Sequence, residues 1–281
     1  MAQILNGREI ATRIRDKVKE MVRTSPDTPG MAAILVGDDP ASHLYVSLKE
    51  KACGEVGIRF EKFLFAADVA QGVLIDEIHK LNARQDIHGI LVQLPLPTQD
   101  PDEVIRAINA NKDIDGFHQE SLHRLEQGLP GLVSPVAMGV MKLIDAAQGT
   151  FQTAALVCSE FFARPLITLL KDIGIESKVV HPDSQHLTTS CLEADVLIVA
   201  VGRPALIKGS MIKKGACVID VGTTKVGDQV LGDVEFDSVE PIAGAITPVP
   251  GGVGPVTVAM LMLNVVKAFR LGRLPKTEKH T

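Results

Sequence analysis

Tyr45 and Lys49 stand one helical turn apart, and Tyr45 is the only tyrosine of the chain. A lysine beside a phenol on the rim of an apolar stripe loses solvation, its pKa falls, and it can then move protons near neutrality. A lysine snorkelling past a half-buried tyrosine has the same spacing, so the pair by itself leaves both readings open. Gln93 places a single amide at the carboxyl end of the apolar run Ile90-Leu-Val-Gln-Leu, where ligand sites of open α/β sheets lie, though an amide there can also serve strand-end backbone groups. Asp113 and Asp115, two apart before Gly116, point the same way in extended backbone, toward solvent or a ligand with paired donors; an Asx-type turn uses the same residues. The stretch from Ile246 to Thr257 holds three prolines and three glycines in twelve positions, Pro250, Gly251 and Gly252 among them. Fixed φ values alternate there with residues that let a ligand touch the backbone, and an apolar helix pattern follows from Val258, so the loop ends at a helix N-terminus suited to anions or carbonyls.

These residues are carried by alternating helices and strands. Ile10, Ile14, Val18 and Val22 recur every four residues and predict a first helix, ended by Pro26 and Pro29. Met31 to Val36 reads as a strand buried on both faces. Asp39 is the expected N-cap and Pro40 the first residue of the helix that bears Tyr45 and Lys49, with Leu44, Leu48, Ala52 and Val56 as its buried stripe. A strand from Ile58, a helix over Val73 to Leu81 and the strand before Gln93 follow, and a helix from Val136 to Ala147 opens a second domain. Ala154-Ala-Leu-Val, a helix from Leu166 to Ile173 and Ser177 to His181 have the order of a Rossmann βαβ unit. The intervening turn, Cys158 to Pro165, lacks the glycines such units use against pyrophosphate, and Glu160 adds negative charge. Asp183, beyond the second strand, either turns the chain or accepts from a ribose hydroxyl. Two more buried strands end at Gly202 and Gly222.

Composition narrows the class of function. With 29 basic and 34 acidic side chains and a net charge of −5, nothing supports a nucleic-acid partner or an anionic membrane surface. Cys53, Cys158, Cys191 and Cys217 lie far apart without C-x-x-C pairs, which argues against a metal site or a disulfide scaffold and predicts reduced, buried thiols. No apolar run reaches the length of a membrane span and no signal sequence opens the chain, so the expected compartment is the cytoplasm.

Taken together, Tyr45-Val-Ser-Leu-Lys49, Val92-Gln-Leu-Pro-Leu-Pro97, Lys112-Asp-Ile-Asp-Gly-Phe-His118, Ala194-Asp-Val-Leu-Ile-Val-Ala-Val-Gly202, Gly232-Asp-Val234 and Thr247-Pro-Val-Pro-Gly-Gly-Val-Gly-Pro-Val-Thr257 resemble the FolD family of bifunctional methylenetetrahydrofolate dehydrogenase/methenyltetrahydrofolate cyclohydrolases. The resemblance spans nearly the whole chain. It implies an α/β fold of two domains around a cleft: a three-layer folate and catalytic domain over 1–135, completed by a C-terminal helix over 258–281, and a Rossmann-like nucleotide-binding domain over 136–257. It implies Lys49 as the catalytic lysine, aided by Tyr45 and Gln93; Asp115, Pro250, Gly251 and Gly252 toward the folate; Ser159, Gly202 and Thr223 toward NADP or NAD; no metal; and a homodimer acting on tetrahydrofolate one-carbon derivatives.

Two stretches depart from the family pattern. Cys158-Ser-Glu-Phe-Phe-Ala-Arg-Pro replaces Gly-Arg-Ser-x-x-Val-Gly-x-Pro, and His181-Pro-Asp-Ser replaces His-Ser-x-Thr, both at contacts of the NADP phosphates. Loss of backbone approach and of cations, with Glu160 and Asp183 added, predicts weaker binding of a 2′-phosphorylated cofactor. A cyclohydrolase-only enzyme and a non-catalytic folate-binding paralogue are the alternatives to the bifunctional reading.

Overall fold

The computed structural model describes residues 1–273. In chain order the elements are β1 (Gln3–Ile4), α1 (Gly7–Arg23), β2 (Gly30–Val36), α2 (Pro40–Val56), β3 (Arg59–Phe65), α3 (Gln71–Ala83), β4 (Gly89–Val92), α4 (Pro101–Arg106), α5 (Gln119–Glu126), α6 (Pro135–Ala146), β5 (Thr153–Cys158), α7 (Glu160–Asp172), β6 (Glu176–Val180), α8 (Leu187–Glu193), β7 (Val196–Ala200), β8 (Cys217–Asp220), β9 (Thr224–Val226), β10 (Gln229–Leu231), α9 (Phe236–Val239), β11 (Ala245–Ile246) and α10 (Val253–Leu271). They form two compact units, one of residues 14–135 with the chain from Val258, the other of residues 1–13 with 136–257.

The first unit is built on a parallel sheet in the order β3-β2-β4. Every residue of β2 is buried, and its period-2 geometry sends Met31, Ala33 and Leu35 into one apolar cluster and Ala32, Ile34 and Val36 into another. The first cluster takes Val46, Cys53 and Val56 from α2 and Leu261, Met262, Val265 and Val266 from α10; the second takes Leu74, Ile78 and Leu81 from α3. That is the expected three-layer arrangement. By length and composition alone α10 is apolar enough to cross a membrane, which corrects the expectation that no run reaches that size. Its apolar face is spent on this core instead.

The N-cap reading at α2 holds: Asp39 Oδ2 accepts from the Ser42 amide at 2.8 Å, and Pro40 opens the helix. The stripe reading holds for Ala52 and Val56 but not for its two leucines. Leu44 and Leu48 are exposed, and the buried line is Val46, Ala52, Cys53 and Val56. Four apolar residues at intervals of four have the pattern of a face, but the sheet selects the neighbouring line, where Val46 and Cys53 stand seven apart.

The second unit is a parallel sheet in the order β1-β11-β8-β7-β5-β6. From β5 onward this is the doubly wound order 2-1-3-4-5, whose direction of growth reverses between β5 and β7. Three boundaries differ from expectation. Residues 1–13 belong here, because Gln3 and Ile4 pair with Ala245 and Ile246 and the Gln3 amide donates to the Ala146 carbonyl at 2.9 Å. Helix α7 begins at Glu160 rather than Leu166, since Ser159 caps it, its Oγ accepting from the Phe162 amide at 3.2 Å, and Pro165 is carried inside the helix. Helix α10 begins at Val253, so the proline- and glycine-rich loop shrinks to Thr247–Gly252. All four cysteines are buried and unpaired. Residues 274–281, the end of the expected C-terminal helix, lie outside the described residues.

Candidate functional site

In the first unit, Val46, Lys49, Cys53 and Val56 follow one another at three and four residues, so the half-buried Lys49 stands in line with the buried residues of α2. Burial lowers its pKa, and the charge of Asp115 pulls it part of the way back. Lys49 Nζ donates to Gln93 Oε1 at 2.8 Å. Gln93 follows the last residue of β4 and is buried; its Nε2 donates to the Leu94 carbonyl at 2.6 Å, which turns the amide oxygen toward the lysine. Tyr45, one turn before Lys49, is exposed over about two-fifths of its surface.

The two aspartates expected to point the same way have separate surroundings. Asp113 is buried and accepts from the His118 amide at 2.7 Å and the Ser121 hydroxyl at 3.4 Å, which makes it the brace of its loop; burial pushes it up to about 7. Asp115 is half-buried, raised by burial and lowered by the charge of Lys49. The backbone between them is held by Asn264 of α10, whose Nδ2 donates to the carbonyls of Ile114 and Val133, each at 2.8 Å. A desolvated lysine, an oriented amide oxygen and a carboxylate thus share one small region. Such a group can polarise a water molecule and exchange protons with a bound ring, while the carboxylate accepts paired N–H donors.

In the second unit, Pro250, Gly251 and Gly252 form the far side of the Thr247–Gly252 turn. Gly251 has φ +117°, which an L side chain rarely adopts. At Gly7, the first residue of α1, a Cβ would fall 1.7 Å from the Gly252 carbonyl oxygen, so the turn lies directly on that helix start. Thr247 Oγ1 accepts from the Asp220 amide at 2.8 Å, tying the turn to β8.

Ser159, Gly202 and Thr223 follow β5, β7 and β8, at the carboxyl edge where doubly wound sheets bind ligands. Gly202 has φ +67° and open space where a Cβ would sit, so backbone can approach a ligand there. Its position is set by Asp233, whose Oδ2 accepts from the amides of Val201 at 2.7 Å and Gly202 at 3.1 Å. Asp220 in turn accepts from the amides of Gly222, Asp233 and Val234 at 2.9, 3.0 and 2.9 Å, and burial raises it to about 6. Sequence reading singled out neither aspartate as a working residue; Gly232-Asp-Val234 was the signal. An open depression lined by Thr153, Glu176, Lys178 and Glu193 lies at the opposite, amino-terminal end of β5 and β6.

The edge suits a dinucleotide in part of its pattern. The 13-residue helix α7 offers its N-terminus, Gly202 leaves room, and Asp183 presents a carboxylate beyond β6. The turn from β5 into α7 has no glycine, and Ser159 spends its oxygen on the helix cap. Among the described residues, no three His, Cys, Asp or Glu side chains gather as metal ligands would.

Known proteins resemble this arrangement over most of the chain. Residues 5–115 match the catalytic domain of tetrahydrofolate dehydrogenase/cyclohydrolase, and residues 134–273 match the NAD(P)-binding domain of the same family. The bifunctional protein FolD of Acetivibrio thermocellus is 44% identical over 278 residues, which cover 96% of this chain and 98% of the relative. The crystal structure of the bifunctional FolD enzyme of Campylobacter jejuni is similar with a TM-score of 0.91 and 36% identity, over 96% of this chain and 99% of that one. The Trypanosoma brucei dehydrogenase-cyclohydrolase, crystallised with NADP and an inhibitor, is similar with a TM-score of 0.90 and 33% identity, over 96% and 98% of the two chains.

Proposed function

This chain belongs to the tetrahydrofolate dehydrogenase/cyclohydrolase family, and from that premise we propose how its residues divide the work of a bifunctional 5,10-methylenetetrahydrofolate dehydrogenase and 5,10-methenyltetrahydrofolate cyclohydrolase. Neither the cyclohydrolase-only nor the non-catalytic alternative is favoured by similar structures whose names carry both activities.

The observation that carries the assignment is Lys49, half-buried in line with the apolar stripe of α2 and hydrogen-bonded to Gln93 with the charge of Asp115 acting on it. Lys49 takes a proton from water as its oxygen adds to the methenyl carbon. As the bond from that carbon to N5 opens, one of the water's two protons ends on N5 and the other leaves to solvent, giving 10-formyltetrahydrofolate. Gln93 holds the lysine head in place through its oxygen, and Tyr45 supplies a hydroxyl one turn away on the same helix. Asp115 accepts paired donors from the pterin ring. Pro250, Gly251 and Gly252 give the folate a backbone surface without side chains in the way.

A nicotinamide nucleotide, when bound, accepts the hydride of the dehydrogenase half. Toward it, Gly202 offers backbone approach, Ser159 sits at the start of α7 and Thr223 follows β8. The working form is a homodimer in the cytoplasm with tetrahydrofolate derivatives as its ligands, a reading supported by family membership; mixed surface charge supports the lack of a nucleic-acid or membrane partner.

The assay uses purified protein. Hydrolysis of methenyltetrahydrofolate and reduction of a nicotinamide nucleotide with methylenetetrahydrofolate are both expected; hydrolysis without reduction of NAD or NADP sinks the dehydrogenase half, and absence of both sinks the whole reading.

A further inference from the structure

We propose that the ion pair between Asp183 and Arg203 makes the nucleotide site of this chain select NAD over NADP, an inference that rests on the dehydrogenase reading above. The sheet order sets the place. Growth reverses between β5 and β7, whose last residues Cys158 and Ala200 pair, so a dinucleotide's phosphates fall at the start of α7 and its adenosine ribose toward the end of β6. Asp183 stands in the turn after β6, and Arg203 follows Gly202 after β7.

The two side chains meet across that edge. Arg203 Nη1 donates to Asp183 Oδ1 at 2.5 Å and Nη2 to Oδ2 at 2.9 Å, a bidentate pair that holds the carboxylate below its usual pKa range. Both are largely exposed, so the pair adds little to stability, and its importance lies in which groups it leaves available. A carboxylate has about four lone-pair directions. With two given to Arg203, the others can accept from the 2′- and 3′-hydroxyls of a ribose.

A 2′-phosphate meets the reverse situation. It carries close to two negative charges and would need the guanidinium fork that Asp183 already occupies. Taking it leaves the carboxylate facing the phosphate. His181 Nδ1 accepts from the Asp183 amide at 3.2 Å, so that nitrogen is not a donor for the phosphate. Glu160 in the first turn of α7 adds further negative charge at the same edge. The discrimination therefore comes from an occupied cation and an added anion, not from a missing pocket.

Calorimetric titration of the full-length protein with NAD, NADP, 5′-AMP and 2′,5′-ADP tests this without any turnover. The wild-type chain is expected to bind NAD at least about tenfold more tightly than NADP, and 5′-AMP more tightly than 2′,5′-ADP. Asp183→Asn, which frees the guanidinium, should shift both ratios toward the 2′-phosphorylated ligand by about tenfold or more. Adding Arg203→Ala to that variant should remove the gain. Preference of the wild type for NADP, unchanged ratios in Asp183→Asn, or binding of no nucleotide would each overturn the proposal. If the ratios behave as expected but folate is not oxidised, the selectivity stands and the dehydrogenase reading fails.

Discussion

Lys49 Nζ and Gln93 Oε1 lie 2.8 Å apart, and the direction of that hydrogen bond is set by a second one, from Gln93 Nε2 to the Leu94 carbonyl at 2.6 Å. The amide nitrogen is engaged by the backbone, so only the oxygen can face α2. An amide at the end of a strand thereby holds the head of a partly desolvated lysine from the neighbouring helix.

If Lys49 moves the protons of hydrolysis, Lys49→Ala should lower the turnover of methenyltetrahydrofolate by about 10²–10⁴-fold, the usual contribution of a positioned acid–base group. The far-ultraviolet circular dichroism should not change, because the substitution removes a desolvation cost rather than a packing group. Unchanged turnover would remove the proposed role.

Burial lowers the Lys49 pKa below 10.5 and Asp115 raises it back in part. With the neutral amine as the active form, hydrolysis at saturating folate should rise with pH and level off below the range of an ordinary lysine. Asp115→Asn removes the compensating charge, so the rise should move to lower pH, together with a higher KM. A shift to higher pH, or none, contradicts the coupling.

Gly7→Ala tests the seat of the turn proposed to face the folate. The new Cβ would overlap the Gly252 carbonyl oxygen, and neither backbone can retreat without moving α1 or the turn. A loss of about 1–3 kcal/mol in urea unfolding is expected, with a raised KM for folate. Wild-type stability and KM together would show that the turn does not rest on Gly7.

Asp113 is raised from 3.8 to about 7 by burial. A carboxyl group with a folded pKa above its unfolded one favours folding most at low pH, and the benefit disappears as pH rises from about 4 through about 7. Asp113→Asn should flatten the pH dependence of stability in that window, by on the order of 3 kcal/mol between its ends. Equal slopes for the two proteins in urea unfolding at pH 4 and pH 8 would place the buried charge elsewhere.

What the chain reveals locally is extensive. Four-residue spacing marked α1, continuous apolar character marked β2, and Asp39 with Pro40 marked the start of α2. Residue type and strand end were enough to single out Lys49, Gln93 and Asp115 for attention. Each of these signals is contained within one or two turns of helix or the length of one strand, where backbone geometry and side-chain period act directly.

Other features depended on partners distant in the chain. Only pairing with β11 draws residues 1–13 into the nucleotide-binding unit, and only packing against β2 selects Val46, Cys53 and Val56, with Lys49 in their line, over Leu44 and Leu48. The cap made by Ser159 turned an expected loop into the first turns of α7. Asp183 reads alone as a turn residue or a ribose acceptor, and it takes the placing of β6 and β7 on either side of β5 to bring Arg203 against it. Local sequence sets what an element can be and which groups it carries; long-range pairing and burial decide which face is desolvated and which charges meet, because those terms depend on neighbours that no short window contains.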